Sequence, residues 1–110
     1  MTDPRLNQMR IKTGILKRVT KEKTVYEKEV DNERKRLETM KSQNKDDYEI
    51  RKQEEVINES LMMLPDTMTR IQQAFNDLNN IIQETQTELS ETTEFQTAKT
   101  LVQEVQQLFQ

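Results

Sequence analysis

The apolar residues between positions 50 and 82 recur at alternating steps of four and three residues, almost without interruption. This spacing is a heptad repeat, and it predicts one long helix that carries a hydrophobic seam. Glu54 is the one polar residue in that seam, so the helix requires a partner surface along nearly its whole length. The apolar members are Ile50, Ile57, Leu61, Leu64, Met68, Ile71, Phe75, Leu78 and Ile82.

Pro65 interrupts the backbone hydrogen bonding of this predicted helix but not its hydrophobic pattern. Proline has no N–H to donate to the carbonyl of Leu61, and its ring crowds that carbonyl, so a kink is expected there. Two shorter helices broken at Pro65 are the alternative. The seam keeps its phase from Leu61 through Leu64 to Met68, which favours one bent helix over about residues 47–85.

A second, more polar seam occupies the first third of the chain and follows a helix-start signal. In Asp3-Pro4, the carboxylate can accept hydrogen bonds from free N–H groups of the first turn, and Pro fits the first helical position. The pattern predicts a helix over about residues 4–41. The two rows of its seam are Met9, Leu16, Lys23, Val30 and Leu37, and Lys12, Val19, Tyr26, Glu33 and Met40.

Residues 41–47 carry no apolar side chain and predict the first turn. Asn44 tolerates the left-handed backbone conformation that ends helices. Asp46, with Glu49 three residues later, forms a capping-box pattern that starts the next helix. A short polar link between two long seams makes the two helices antiparallel neighbours.

Threonine and serine cluster between residues 84 and 93, where they lower helix propensity and offer caps. Beyond this second break, apolar residues at three-and-four spacing predict a third helix over about residues 92–109. They are Phe95, Ala98, Val102, Val105 and Phe109, with Leu101 and Leu108 beside them.

These helices predict an all-α fold, an elongated antiparallel three-helix bundle with coiled-coil-like packing, as a single domain over residues 1–110. The third helix is about half as long as the others, so it covers only part of them. Roughly residues 26–63 should then form a two-helix hairpin with a thinner core. Its more exposed seam residues should be Val30, Leu37, Met40, Ile50 and Ile57.

Composition narrows the chemistry available to the chain. Charged residues make up 34% of it, only one glycine and two prolines occur, and cysteine, histidine and tryptophan are absent. No disulfide, thiolate or imidazole chemistry is therefore possible. The chain has no stretch of about 18 apolar residues and begins with a polar segment, from which we expect a soluble, non-secreted protein.

Carboxylate pairs at Asp46/Asp47, Glu54/Glu55 and Glu91/Glu94 are the remaining catalytic candidates. Each pair lies in polar sequence that predicts a solvated helix face or a cap, where nothing raises a carboxyl pKa toward catalytic use. Glycine-rich phosphate loops and clusters of metal-binding His or Cys are absent as well. The sequence therefore argues against an enzyme and predicts no cofactor and no metal site.

Basic and acidic residues are distributed unevenly. Residues 1–28 contain eight Lys or Arg against three acids, whereas residues 56–110 contain two Lys or Arg against eight acids. Either the two surfaces attract within one bundle, or the basic face meets an acidic partner. Nucleic acid is disfavoured because the basic helix carries an apolar seam. A membrane surface is disfavoured because no large aromatic side chain backs the basic stretch before Tyr26.

Several residues have no evident role in the folding of the predicted bundle. Gly14 falls on the outer face of helix 1, where glycine costs about 1 kcal/mol relative to alanine. Glycine there permits close backbone approach, and flexible methionines adapt to a partner. A wide apolar face covered by the neighbouring helix is the open alternative. The other members of this predicted contact surface are Ile11 and Val25 on helix 1 and Val56, Met62 and Met63 on helix 2.

Five segments of the chain carry a family resemblance. They are Asp3-Pro4-Arg5, Ile11-Lys12-Thr13-Gly14-Ile15-Leu16-Lys17-Arg18, Lys21-Glu22-Lys23, Tyr26-Glu27-Lys28-Glu29 and Glu59-Ser60-Leu61-Met62-Met63-Leu64-Pro65-Asp66. In these segments the sequence resembles the tubulin-binding cofactor A family over almost its full length. The third helix matches mainly in pattern.

The resemblance implies a cytoplasmic, cytoskeleton-associated chaperone that captures β-tubulin released from the cytosolic chaperonin and holds it for assembly with α-tubulin. Other tubulin-folding cofactors would meet it indirectly, and no nucleotide or metal is implied. The acidic character of tubulin suits the basic face of helix 1, which adds Lys17, Arg18 and Lys21 to the predicted contact surface. The protein would act as a monomer or homodimer.

Two other functions compete with this one. A structural coiled coil could associate with itself through the thin hairpin, and it would form a dimer whose stability depends on protein concentration. A chaperone hairpin like a prefoldin subunit is the weaker competitor, because no β-hairpin sequences lie between the helices.

Overall fold

A computed structural model describes residues 3–109 and shows three α-helices. They are α1 (Pro4–Ser42), α2 (Asp47–Leu89) and α3 (Thr93–Gln106), followed by a 3-10 turn at Gln107–Phe109. The described residues contain no strand, which confirms the all-α prediction. The predicted domain limits, residues 1 and 110, lie outside the described part.

Each α-helix begins at a side chain that accepts a backbone hydrogen bond. Asp3 Oδ1 accepts from the N–H of Arg5 at 2.9 Å, and Asp46 Oδ1 accepts from the N–H of Glu49 at 2.8 Å. Thr92 Oγ1 accepts from the N–H of Phe95 at 3.2 Å. These bonds satisfy N–H groups that have no partner within their own helix.

The end of α1 is fixed by Asn44, whose φ of 57° is the one positive value among the described non-glycine residues. The N–H of Lys45 donates to the carbonyl of Met40, and the N–H of Asn44 donates to that of Lys41, both at 3.1 Å. This pair of bonds is a Schellman motif with asparagine at its left-handed position. The predicted role of Asn44 is confirmed.

Helix α2 continues through Pro65, so the alternative of two shorter helices is wrong. It also extends to Leu89, four residues beyond the predicted end. Thr85, which we expected to weaken the helix, is buried and its Oγ1 donates to the carbonyl of Ile81 at 2.6 Å. A threonine satisfied in this way can stay inside a helix. The kink at Pro65 stays a prediction.

On α2, a row of buried residues lies one residue before the predicted seam positions Glu54, Met68, Phe75 and Ile82. Glu54, predicted to lie in the seam, is exposed, whereas Gln53 is only 6% exposed. Thr67, Ala74 and Ile81 follow Gln53 at multiples of seven residues and are buried as well. Polar and small side chains form much of this row, which is why a hydrophobic pattern did not reveal it.

The described chain divides into two compact units. The first, called here the three-helix unit, comprises Met1–Thr20 and Thr69–Gln110. The rings of Phe75 and Phe109 meet edge to face in it, with centroids 5.5 Å apart. Its buried apolar side chains are Met9, Leu16, Val19, Ile71, Ala74, Leu78, Ile81, Ile82, Phe95, Ala98, Val102 and Val105.

The second unit, called here the hairpin, is Lys21–Met68 and contains parts of α1 and α2 only. Val30 and Ile57 are as buried in it as Val19 and Ile82 are in the three-helix unit, so the expectation that these two would be more exposed than the residues under α3 is wrong. Leu37, Met40 and Ile50 are half-buried. Gln53 reaches across the hairpin, where its Nε2 donates to the carbonyl oxygen of Glu33 at 2.9 Å and to its Oε2 at 2.6 Å. A polar bridge therefore supplements a small apolar core.

Candidate functional site

The three-helix unit carries four of the predicted contact residues on α1. Ile11 is 55% exposed, and Gly14, Lys17 and Arg18 are exposed too. Ile11, Gly14 and Arg18 lie three, then four residues apart, so they share one helix face, which is not the face of buried Met9 and Leu16. This face is available to a partner.

Gly14 has open space around it. A Cβ placed on it would have no neighbouring atom within 4 Å. Packing inside the protein therefore does not require a glycine here, although glycine lowers helix stability. The structure thus rules out the simplest intramolecular explanation for this residue, and its role in binding a partner stays a prediction.

The same unit has a shallow groove of about 390 Å³ beside α3 that the sequence did not reveal. Lys17 lines it together with Leu101 and Glu104. The remaining lining residues are Thr13, Gln96, Thr97 and Thr100, each of which has a polar group, although apolar atoms form more of the groove surface than polar ones. It extends the surface around Lys17 without adding a reactive group.

The hairpin carries the other five predicted contact residues, but it does not bring all of them together. Lys21 and Val25 are exposed neighbours on α1, one turn apart. On α2, exposed Val56 and Met63 lie seven residues apart on one side of the buried row. Met62 is 75% exposed and lies on the side of α2 opposite to the buried residues. Met62 is therefore separate from the Val56 and Met63 pair.

Two grooves flank the seam of the hairpin. The first, called here the basic groove, has a volume of about 520 Å³ and contains Val56. Its lining residues are Arg36, Thr39, Met40, Gln43, Lys45, Tyr48, Glu49, Lys52, Gln53 and Val56. The second, called here the mixed groove, has a volume of about 640 Å³. Its lining residues are Asp31, Arg34, Lys35, Leu37, Glu38, Glu54, Ile57, Asn58 and Leu61.

Apart from Val56, the sequence-based prediction did not include the residues of the basic groove. Its basic and aromatic residues are separated along the chain by the turn between α1 and α2, so only antiparallel pairing brings them together. Tyr48 is 68% exposed, and the Nζ of Lys52 lies 5.5 Å from the centre of its ring. The sequence does contain a signal for this pairing. Positions 36 and 52 lie at equal distances from the predicted turn, so two antiparallel helices place them near each other.

One ion cluster lies in the three-helix unit. Arg5 Nη2 is 2.7 Å from Asp3 Oδ2 and 2.8 Å from Glu88 Oε2. Hydrogen bonds from the Arg5 side chain hold the pKa of both carboxyl groups below their usual range. In turn, these carboxylates raise the pKa of the guanidinium. The cluster links the first turn of α1 to the last turn of α2.

Metal-binding clusters and membrane-spanning helices are both absent from residues 3–109. In that range, no group of three or more His, Cys, Asp or Glu side chains is placed to hold a metal ion. None of the described helices is both long enough and apolar enough to span a membrane. What the described surface offers is exposed apolar side chains next to lysine and arginine, which suits binding rather than bond-making chemistry.

Comparison with known proteins agrees with this description. The family model described as tubulin binding cofactor A matches residues 4–102. Tubulin-specific chaperone A of Gallus gallus is 44% identical over 105 residues, which are 96% of each chain.

Two solved structures are similar as well. The crystal structure of tubulin folding cofactor A from Arabidopsis thaliana superposes with a TM-score of 0.89 at 36% identity, covering 94% of this chain and 97% of the other. Human tubulin chaperone cofactor A gives a TM-score of 0.78 at 37% identity, covering 94% and 99%.

Proposed function

Because the chain belongs to the tubulin-binding cofactor A family, we propose that it captures β-tubulin released from the cytosolic chaperonin and holds it until α-tubulin joins. The match over residues 4–102 carries this proposal, since it includes all of α1 and α2 and most of α3. Relatives along nearly the whole chain are named as tubulin chaperones or cofactors. A role in tubulin folding follows from the family; the β-subunit and the step after the chaperonin are our proposal.

The proposed mechanism is stoichiometric capping without bond-making chemistry. The protein covers part of a β-tubulin face that would otherwise aggregate or pair too early. Exposed apolar side chains such as Ile11 and Val56, next to exposed lysine and arginine, support such a role. We propose that this activity takes place in the cytoplasm and in association with the cytoskeleton. It requires no nucleotide, nucleic acid or membrane.

The contact surface proposed for β-tubulin consists of the nine residues predicted from the sequence. In the three-helix unit they are Ile11, Gly14, Lys17 and Arg18, and in the hairpin they are Lys21, Val25, Val56, Met62 and Met63. Lys17, Arg18 and Lys21 supply positive charge that attracts an acidic client. Met62 and Met63 supply flexible apolar contacts.

The first experiment is size-exclusion chromatography of the protein with β-tubulin freshly released from chaperonin. We expect a one-to-one complex with β-tubulin and none with α-tubulin, which is the matched control. Light scattering on the free protein gives its mass. Absence of a complex together with a free dimer would instead support the self-associating coiled coil.

Charge reversal tests the basic face. Replacing Lys17, Arg18 and Lys21 together with Glu should weaken the β-tubulin complex about tenfold or more, because three attractive charges become repulsive. Helicity should be unchanged, since all three residues are exposed. A complex with unaltered affinity and unaltered salt dependence would show that β-tubulin binds elsewhere.

A further inference from the structure

The two grooves of the hairpin differ in charge although the same two helices form them. The basic groove contains Arg36, Lys45 and Lys52 against the single acid Glu49. The mixed groove contains two basic and three acidic residues. The whole chain has a formal net charge of -3, so the basic groove has the opposite sign to the molecule around it. A groove of this kind attracts an anionic ligand.

The positive charge of the basic groove is not neutralised within the described chain. Neither Arg36 nor Lys45 belongs to an ion pair among the described residues. Lys52 forms one ion pair among the described residues, with Glu55, at the long distance of 3.9 Å. Exposed pairs of this length contribute little. These cations are therefore free to meet carboxylates of a partner.

Apolar and aromatic side chains line the same groove as these cations. Tyr48 is mostly exposed, Met40 is half-buried, and Val56 is exposed along the same groove. Tyrosine and arginine, which both line this groove, are among the residue types that dominate binding energy at interfaces. The groove can thus hold an apolar side chain of a ligand between two flanking anionic groups.

The groove is also connected to the surface predicted from the sequence. Val56 belongs to both, and Met63 lies seven residues further along the same side of α2. Val25 lies eleven residues before Arg36, which puts the two on one side of α1. A client held on Val25, Val56 and Met63 therefore reaches the basic groove without leaving this side of the hairpin.

We propose that the basic groove binds an acidic segment of the client polypeptide, with carboxylates at Arg36 and Lys45 and an apolar side chain on Tyr48 and Val56. The inference rests on the proposed function, which supplies the client. A protein segment is favoured over nucleic acid because half-buried Met40 and exposed Val56 suit an aliphatic side chain.

The test compares two double variants that change the formal charge by the same amount. Arg36→Glu with Lys45→Glu reverses the basic groove, and Arg34→Glu with Lys35→Glu reverses the two cations of the mixed groove. We expect the first pair to weaken the β-tubulin complex about tenfold and to reduce its salt dependence, and the second to weaken it less than about threefold. Circular dichroism checks that both variants keep wild-type helicity.

An acidic peptide gives a second readout that does not require tubulin. Tyr26 and Tyr48 are the two tyrosines and there is no tryptophan, so Tyr26→Phe leaves Tyr48 as the fluorophore of the groove. Titration with a short peptide of alternating Glu and Leu should change Tyr48 fluorescence, and the Arg36→Glu, Lys45→Glu pair should abolish that change. An oligouridylate of the same charge is the polyanion control, and we expect it to bind more weakly.

The outcomes separate the two proposals. If wild-type protein forms no β-tubulin complex, the proposed function fails, and the peptide titration alone decides the groove. If the complex forms and both double variants weaken it equally, or neither does, the groove assignment is wrong. Tighter binding of oligouridylate than of the peptide would also overturn it, in favour of a general polyanion site.

Discussion

The three-helix unit and the hairpin share α1 and α2 but differ in what they bury. Twelve apolar side chains are buried in the three-helix unit, whereas Val30 and Ile57 are the buried apolar side chains described in the hairpin. The hairpin buries the polar residues Gln53 and Thr67 as well, and the much larger apolar core of the three-helix unit is accompanied by one buried polar residue, Thr85. A third helix supplies apolar surface, and where it is absent, buried polar groups with hydrogen-bond partners take its place. The hairpin thus keeps more of its side chains available to a partner.

Truncating one leucine in each region tests this difference in burial and should give the largest effect. Leu78→Ala in the three-helix unit, where Leu78 is fully buried, should cost about 3 kcal/mol or more of unfolding free energy. Leu61→Ala in the hairpin, where Leu61 is half-buried, should cost about half as much. Denaturant unfolding followed by circular dichroism measures both. An equal or larger loss for Leu61→Ala would mean that the hairpin core contributes as much to stability as the core of the three-helix unit.

The polar bridge of the hairpin gives the next largest effect. Gln53→Ala should cost about 2 kcal/mol, because it removes a buried side chain and its hydrogen bonds to Glu33. Glu54→Ala is the matched control at the neighbouring exposed position and should change stability by less than about 0.5 kcal/mol. If the two variants exchanged these values, the buried row would be the one first predicted from the sequence.

Gly14→Ala should act in the opposite direction. The open space around Gly14 accepts a methyl group, so the variant should be more stable by about 0.5–1 kcal/mol. The same methyl group would hinder close approach of a partner, so β-tubulin binding should weaken. Thermal unfolding and chromatography of the complex measure the two effects. Stabilisation with unchanged binding would remove Gly14 from the contact surface.

Acid sensitivity is the smallest expected effect and belongs to the three-helix unit. Arg5 lowers the folded-state pKa of Asp3 and Glu88, so the ionised carboxylates favour the folded protein. Their contribution is complete above the unfolded pKa of about 4 and is lost as pH falls through the folded value. Thermal melts between about pH 5 and pH 3 should therefore depend less on pH in Glu88→Gln.

Arg5→Gln provides the partner control for that series, since it removes the donor instead of one acceptor. It should flatten the same part of the pH profile. A wild-type slope in both variants would show that other carboxyl groups cause the acid sensitivity.

Helix limits were the most predictable part of this molecule. Asp3, Asp46 and Asn44 act through local hydrogen bonds and backbone conformation, which depend on neighbours in sequence. The end of α2 was less predictable, because tertiary burial of Thr85 overrides its weak helix propensity. That the whole chain forms a single domain stays a prediction.

The candidate site was only partly predictable for a related reason. The exposure of Ile11 follows from its position on α1 alone, and that of Met62 from its position on α2 alone. The basic groove depends on which residue of α1 faces which residue of α2. The hydrogen bonds from Gln53 to Glu33 contribute to this alignment, although a hydrophobic pattern treats Gln53 as solvent-facing. Long-range pairing of polar residues is not visible in a local repeat.

The bridge from Gln53 to Glu33 has a consequence for how the chain finds its native alignment. Two heptad helices can slide past each other by one repeat, about 10 Å, and still set apolar rows against apolar rows. In such a shifted state Tyr26 or Met40 would take the place of Glu33 opposite Gln53. The Gln53 amide would still face a backbone carbonyl but would lose its hydrogen bond to the Glu33 carboxylate. A single amide thereby distinguishes one alignment from its near copies, and with it keeps Arg36 across from Tyr48 and Lys52.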